Sequence, residues 1–278
     1  MTARMPTYFL SHGGGPWPYM TGPFRKNFDW LEKSLQDIPR QLPQRPKAVL
    51  VVTGHWEAPV FTVSSSPAPG MLYDYSGFPE ETYRIKYPAP GSPALAARVQ
   101  ALLNDAGLAT AADPQRGFDH GTFSLMKPIY PDADIPVVQL SVKDDFDPVE
   151  HLRAGAALAP LRDEGILIIG SGFSFHNLRL FGDAGVQPSV QFDAWLREAV
   201  GSDAATRHAM LANWSKAPAA RLAHPREDHL LPLMVAAGAA GADPSVPVYG
   251  ERFMGGLAAS SFRFSQDTRA TGFDRLAA

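Results

Sequence analysis

The sequence predicts an α/β protein, and three features carry that prediction. Short apolar runs alternate along the chain with segments of helical periodicity. Two of those runs, AVLVV (48–52) and ILIIG (166–170), are apolar without a break, which suits strands buried on both faces of a parallel sheet. Prolines and glycines sit mainly between the periodic segments, where they act as turn chemistry, so the alternation reads as strands connected through covering helices.

Taken in order, the first strand is Thr7–Leu10, and it runs into the turn SHGGGPWP. Pro23–Leu35 is a helix, with Phe24, Phe28, Leu31 and Leu35 on one face. Lys47–Thr53 and Val60–Ser64 are strands. Residues 67–91 are rich in Pro, Tyr and Gly, and a loop of that length in a compact domain is commonly functional. Ser92–Asp105 opens with Ser-Pro, an N-cap followed by proline at the first helical position. Asp147–Arg162 opens the same way with Asp-Pro. Between them, Pro136–Val142 is a strand, and Gly165–Gly170 is the next. Gln191–Val200 and Arg226–Ala239 are helices, the second with an uncertain start because of Pro232. Val246–Tyr249 and Ser261–Phe264 are weaker strands, and Pro247 confines the former to an edge. No repeat, low-complexity block or linker divides the chain, so residues 1–278 are expected to form one catalytic domain.

The bulk properties narrow the function. A net charge of −3 over 278 residues is no polybasic footprint, which argues against nucleic acid or an anionic membrane as partner. No run approaches the roughly 18 apolar residues of a membrane span, and the N-terminus lacks a secretory pattern. The absence of cysteine removes disulfides, thiolate metal sites and cysteine nucleophiles. A cytoplasmic protein is expected.

The histidines carry the chemical signal through their placement. His12, His55 and His176 each follow an apolar strand within a few residues. In open α/β sheets ligands bind beyond the carboxyl ends of the strands, so three imidazoles on one rim would make a metal site. Each also has a plainer reading, as a turn or strand-end histidine. Glu57, next to GHW, is a ligand, a supporting partner or simply exposed. His229, in HPREDHLL, has Glu227 and Asp228 beside it, either of which could orient the ring; helix-capping charge is the alternative. His224 and His229 lack the spacing of a helical zinc pair. His120, between Gly117 and Gly121, reads as a tight-loop residue. His151 and His208 lie in mixed-charge helical contexts and read as surface residues. A GxSxG elbow, a phosphate loop and a dinucleotide fingerprint are all missing.

SHGGGPWP, GHWE, YPAPGSPALA, GFDHGTFSLMKPIYPDADIPVVQLS, LRDEGILIIGSG with HNLR, and HPREDHLLPLMVAAGAA together resemble the DODA-type extradiol aromatic ring-opening dioxygenases. This is the class III branch related to the B subunit of protocatechuate 4,5-dioxygenase. The matching stretches run in family order over about residues 7 to 265. The resemblance implies a central, mostly parallel mixed sheet flanked by helices, with the active site at the carboxyl ends of its strands. It implies His12, His55 and His229 as metal ligands, and His176 as acid/base catalyst or additional ligand. It implies His120 as a residue facing substrate and O2. Fe(II) is the implied metal for activity, with Zn(II) able to stand in its place, and the implied partners are a small aromatic diol and O2. The sequence departs from the pattern at HGGGP, TGHWE and the two phenylalanines Phe173 and Phe175. Those changes bear on substrate identity.

Three neutral imidazoles leave a divalent ion with its charge uncompensated, which suits a substrate that binds as a catecholate. The same ligands would suit zinc activating a water. A zinc-dependent hydrolase is therefore the alternative, and a non-catalytic binding protein on the same fold is a third. Trp17, Phe173 or Phe175 would line an apolar slot for the ring.

Overall fold

The computed structural model describes residues 4–276. Eight strands build one sheet: β1 (Thr7–Ser11), β2 (Ala48–Ala58), β3 (Phe61–Ser64), β4 (Thr110–Asp113), β5 (Val137–Lys143), β6 (Ile166–Gly172), β7 (Ser245–Phe253) and β8 (Leu257–Phe264). Their order is β4-β3-β5-β2-β6-β1-β8-β7. The central run β5-β2-β6-β1 is parallel throughout. β8 lies antiparallel to β1, and β7 antiparallel to β8.

The parallel centre explains the unbroken apolar runs. Val49, Leu50, Val51 and Val52 of β2, and Leu167, Ile168 and Ile169 of β6, are completely buried. Such strands need helices on both faces. The helices are α1 (Pro23–Lys26), α2 (Asp29–Gln41), α3 (Pro93–Asp105), α4 (His120–Ile129), α5 (Pro148–Leu158), α6 (Pro160–Asp163), α7 (Asp183–Gly201), α8 (Ala204–Ala212), α9 (Ala220–Ala223) and α10 (Leu231–Ala240). Every residue of α10 is buried. Its Ala- and Gly-rich sequence lets it pack against α5 and the sheet together.

Most expected elements form, with shifted ends. The expected helix Pro23–Leu35 is two helices. The side chain of Asn27 donates to the carbonyl of Phe24 at 3.0 Å, and Phe28 leaves helical geometry with ψ 7°. Ser92 and Asp147 do cap α3 and α5, but Pro160 starts a separate short helix where Asp147–Arg162 was expected to continue. α10 starts at Leu231, five residues after the expected Arg226, with Pro232 at its first turn. Thr110–Asp113 was not expected as a strand; it is a short edge strand without apolar alternation. β7 is the other edge, as Pro247 required, and its register shifts between Pro247 and Tyr249.

Candidate active site

Parallel order places the carboxyl ends of β1, β6 and β2 side by side, and the first three histidines leave from that rim. His12 follows β1 directly, and its backbone N–H donates to the carbonyl of Gly172 at the end of β6. His176 lies four residues past β6, held by its N–H on the carbonyl of Ala223 at 2.9 Å. His55 sits inside β2, at an irregularity. Thr53 pairs with Ser141 and Glu57 with Val142, so Gly54, His55 and Trp56 have no partners on β5. A bulge of this kind re-aims the side chain it carries.

That bulge is tied down. The Thr53 hydroxyl donates to buried Asp119 at 3.0 Å, and Arg116 donates both to Asp119 and to the backbone carbonyl of His55, at 3.0 and 3.1 Å. Asp119 is also the N-cap of α4, accepting from the Thr122 N–H. His120 is consequently the first residue of a helix and not the tight-loop residue its flanking glycines suggested.

His229 reaches the rim from the segment before α10. Gly54 and Gly172 make that approach possible. A Cβ on Gly172 would lie 2.1 Å from the carbonyl oxygen of His229, and one on Gly54 would lie 2.8 Å from the carbonyl oxygen of Asp228.

Five histidines thus converge. The ring centroid of His12 lies 4.9 Å from that of His55 and 5.2 Å from those of His120 and His229. His55 lies 3.9 Å from His120, and His176 stacks on His229 at 3.3 Å. The nitrogens of His12, His55 and His120 lie within 4.8 Å of one another, as do the ligand atoms of His176, Asp228 and His229. The two groups meet where Nε2 of His55 comes within 3.0 Å of Nε2 of His229.

Carboxylates hold the far sides of these rings. Nδ1 of His229 lies 2.8 Å from Asp228, which settles the choice between Glu227 and Asp228, since Glu227 pairs with Arg221 instead. Asp74 contacts two rings, with Oδ1 2.9 Å from Nδ1 of His120 and Oδ2 3.2 Å from Nδ1 of His55. No sequence pattern points to Asp74. It lies in the long aromatic loop, whose length was the only signal. Glu57 is not part of the site; it accepts from Arg226 at 2.6 Å.

Burial dominates the electrostatics. It pushes the imidazoles of His12, His55 and His229 well below their usual range, with the neighbouring histidines adding to the shift. Burial also lowers His176 to about 4, although Asp228 pulls the other way. Neutral imidazole with a free lone pair is the form that binds a metal. Both nitrogens of His12 are buried and have no hydrogen-bond partner among the described residues.

A cavity of about 360 Å³ opens onto the rim, lined by His12, His55, His120 and His176. Its far wall is aromatic, with Phe24, Phe28, Tyr75, Phe78 and Phe173 among its residues. Phe173 lines it as expected, whereas Phe175 is fully buried in the core. Trp17 is also core, and its indole N–H donates to the carbonyl of His12 at 2.8 Å. His151 is likewise no surface residue. It is completely buried, accepts from the Lys143 N–H through Nε2 and donates from Nδ1 to the carbonyl of Asp147.

The family model for the catalytic LigB subunit of aromatic ring-opening dioxygenase matches residues 6–260. The chain is 40% identical over 269 residues to dioxygenase tasH of Hapsidospora irregularis, covering 90% of this chain and 82% of that protein. It is 39% identical to 4,5-DOPA dioxygenase extradiol of Beta vulgaris, covering 93% of this chain and 96% of that one. With the Escherichia coli K12 protein of the same name it shares 37% identity, covering 90% and 91% of the two chains. The crystal structure of an uncharacterized protein from Escherichia coli K12 superposes with a TM-score of 0.76 at 33% identity, covering 94% of this chain and all of that one.

Proposed function

Since the chain belongs to the family of the catalytic LigB subunit of aromatic ring-opening dioxygenases, we propose that the histidine rim is the centre at which it opens a catechol ring. The protein is a non-haem, metal-dependent extradiol dioxygenase that cleaves an aromatic diol with O2. The eight-stranded sheet with its helices serves as a single catalytic domain.

His12, His55 and His229 are assigned as the metal ligands. The observation that carries this is the 3.0 Å approach of Nε2 of His55 to Nε2 of His229. Each ring has its Nδ1 beside a carboxylate, so each Nε2 carries a lone pair, and two facing lone pairs repel unless a cation lies against both. The unpartnered nitrogens of buried His12 complete the set. Zinc accepts imidazole at about 2.0–2.1 Å and imidazole equally suits iron, so the ligands suit either ion. Fe(II) is the proposed active metal, with Zn(II) able to occupy the same imidazoles. Fe(II) supplies redox chemistry that Zn(II) lacks, bringing diol and O2 together.

The chain's own groups do the rest. His176 is the proposed acid/base. Its neutral imidazole lines the cavity, placed to take a proton from a catechol hydroxyl and return it later in the reaction. It is also near enough to His229 and Asp228 to act as an additional ligand. His120 lines the cavity with its Nδ1 held by Asp74, which leaves Nε2 to face the substrate and O2. The aromatic wall seats the ring and excludes water. The relatives' names point to a 3,4-dihydroxyphenyl compound with an amino-acid side chain, and the cavity is within the size range for such a ligand.

The test is oxygen uptake by metal-stripped protein reloaded anaerobically with Fe(II) or with Zn(II), across a panel of catechols. Uptake with a coloured product in the Fe(II) sample alone is expected. Uptake by neither sample, with one metal bound, would overturn the assignment.

A further inference from the structure

Asp74 is the one carboxylate among the residues lining the cavity, and it touches two imidazoles assigned different tasks. Its Oδ1 accepts from the backbone N–H of His120 at 2.9 Å and meets Nδ1 of the same residue at 2.9 Å. Its Oδ2 lies 3.2 Å from Nδ1 of His55. Its own position is fixed by backbone pairing. The Leu72 N–H donates to the carbonyl of Phe118, and the Phe118 N–H to the carbonyl of Gly70, both at 2.8 Å. Asp74 and His120 each stand two residues beyond that pairing, so the carboxylate and the start of α4 are held as one unit. The next residue, Tyr75, and then Phe78, wall the same cavity.

We propose that Asp74 is a positioning residue for ring opening, a shared carboxylate that fixes the tautomer of both His55 and His120. This rests on the reaction centre assigned above. A hydrogen bond from Nδ1 of His120 and a carboxylate oxygen 3.2 Å from Nδ1 of His55 favour the proton there in each ring. Nε2 of His55 is then a lone pair for the cation, and Nε2 of His120 an acceptor facing the diol. Because Tyr75 and Phe78 belong to the same segment, the surface that seats the ring and the group that orients both imidazoles move together.

Asn at this position separates the two jobs. Its amide oxygen can accept from one imidazole, but its NH2 then faces the other Nδ1. That ring must carry its proton on Nε2, the wrong form for its task. The experiment is histidine side-chain nitrogen NMR on metal-free protein, with Zn(II) titration and steady-state kinetics of the Fe(II) form, for wild type, Asp74→Asn and Asp74→Glu. In wild type both rings are expected as the Nδ1–H tautomer. In Asp74→Asn one ring switches and kcat falls; Zn(II) affinity falls about 10- to 100-fold when that ring is the ligand His55 and holds when it is His120, while Asp74→Glu restores the wild-type tautomers. An Nε2–H tautomer at either ring in wild type overturns the proposal. So do unchanged tautomers and unchanged Zn(II) affinity in Asp74→Asn. If wild-type Fe(II) protein opens no catechol, the reaction assignment falls, while the tautomer and Zn(II) results still decide the role of Asp74.

Discussion

Nε2 of His55 and Nε2 of His229 lie 3.0 Å apart although 174 residues separate them in the chain. One comes from a bulge in β2, the other from the segment before α10, and each is braced from behind by a carboxylate, Asp74 or Asp228. Two neutral acceptors brought this close are a preformed bite for a cation, and beside them the ring nitrogens of His12 have no hydrogen-bond partner among the described residues.

His12→Ala is therefore expected to weaken metal binding by more than the roughly 10- to 100-fold that losing a supporting partner costs. Metal analysis after dialysis against a weak chelator reads this directly. Retention of one equivalent would remove His12 from the ligand set.

His176→Ala should behave differently. It is expected to keep the metal and to lose about 100- to 10,000-fold in ring opening, the range for a general acid/base. Metal content and kcat measured on the same preparation separate this role from that of an additional ligand, whose removal would lower both.

Gly172→Ala tests the packing behind the site. The new Cβ would sit 2.1 Å from the carbonyl oxygen of His229, and backbone on both sides cannot yield cheaply. The expected cost is about 1–3 kcal/mol of stability, together with weakened metal binding. A denaturant melt that matches wild type, with full metal occupancy, would contradict the close approach.

Acid should destabilise the metal-free protein. Burial lowers the pKa of His12, His55, His151 and His229, and takes His176 to about 4 and His224 to about 3. The folded chain holds these rings neutral, whereas the unfolded chain protonates them near 6.5. Below that pH the unfolded state binds more protons, so stability falls as pH drops from about 6.5 towards the folded-state values and is fully present above it. Melting curves of stripped protein between pH 5 and 8 check the sign. A melting temperature that rises on acidification would refute it.

The parts of the site legible in the sequence are those where one local pattern carries the information. An apolar strand ending in a turn places His12 and His176 at a rim, the apolar run before His55 marks its strand, and Asp228 adjoins the ring it supports. Asp74 carries no such pattern. It meets His120 across 46 residues, through a loop whose course is set by pairing with Phe118. The helix at His120 was hidden because its flanking glycines resemble a turn, while its cap is the Asp119 carboxylate, which also binds the β2 bulge. The bulge itself has no local signature, since β2 reads as a strand from its apolar residues whether or not β5 keeps pace. Trp17 and Phe175 show the limit for aromatics, whose destination in core or cavity depends on tertiary packing.

The most direct test of ring opening is isotopic. Fe(II)-loaded protein is given a catechol under 18O2, and the product is analysed by mass spectrometry. Extradiol cleavage places one labelled oxygen in the new carboxylate and the other in the new carbonyl, and consumes O2 in step with the catechol. An opened product whose new oxygen comes from water and carries no label, or catechol consumed without label entering the opened chain, would contradict it.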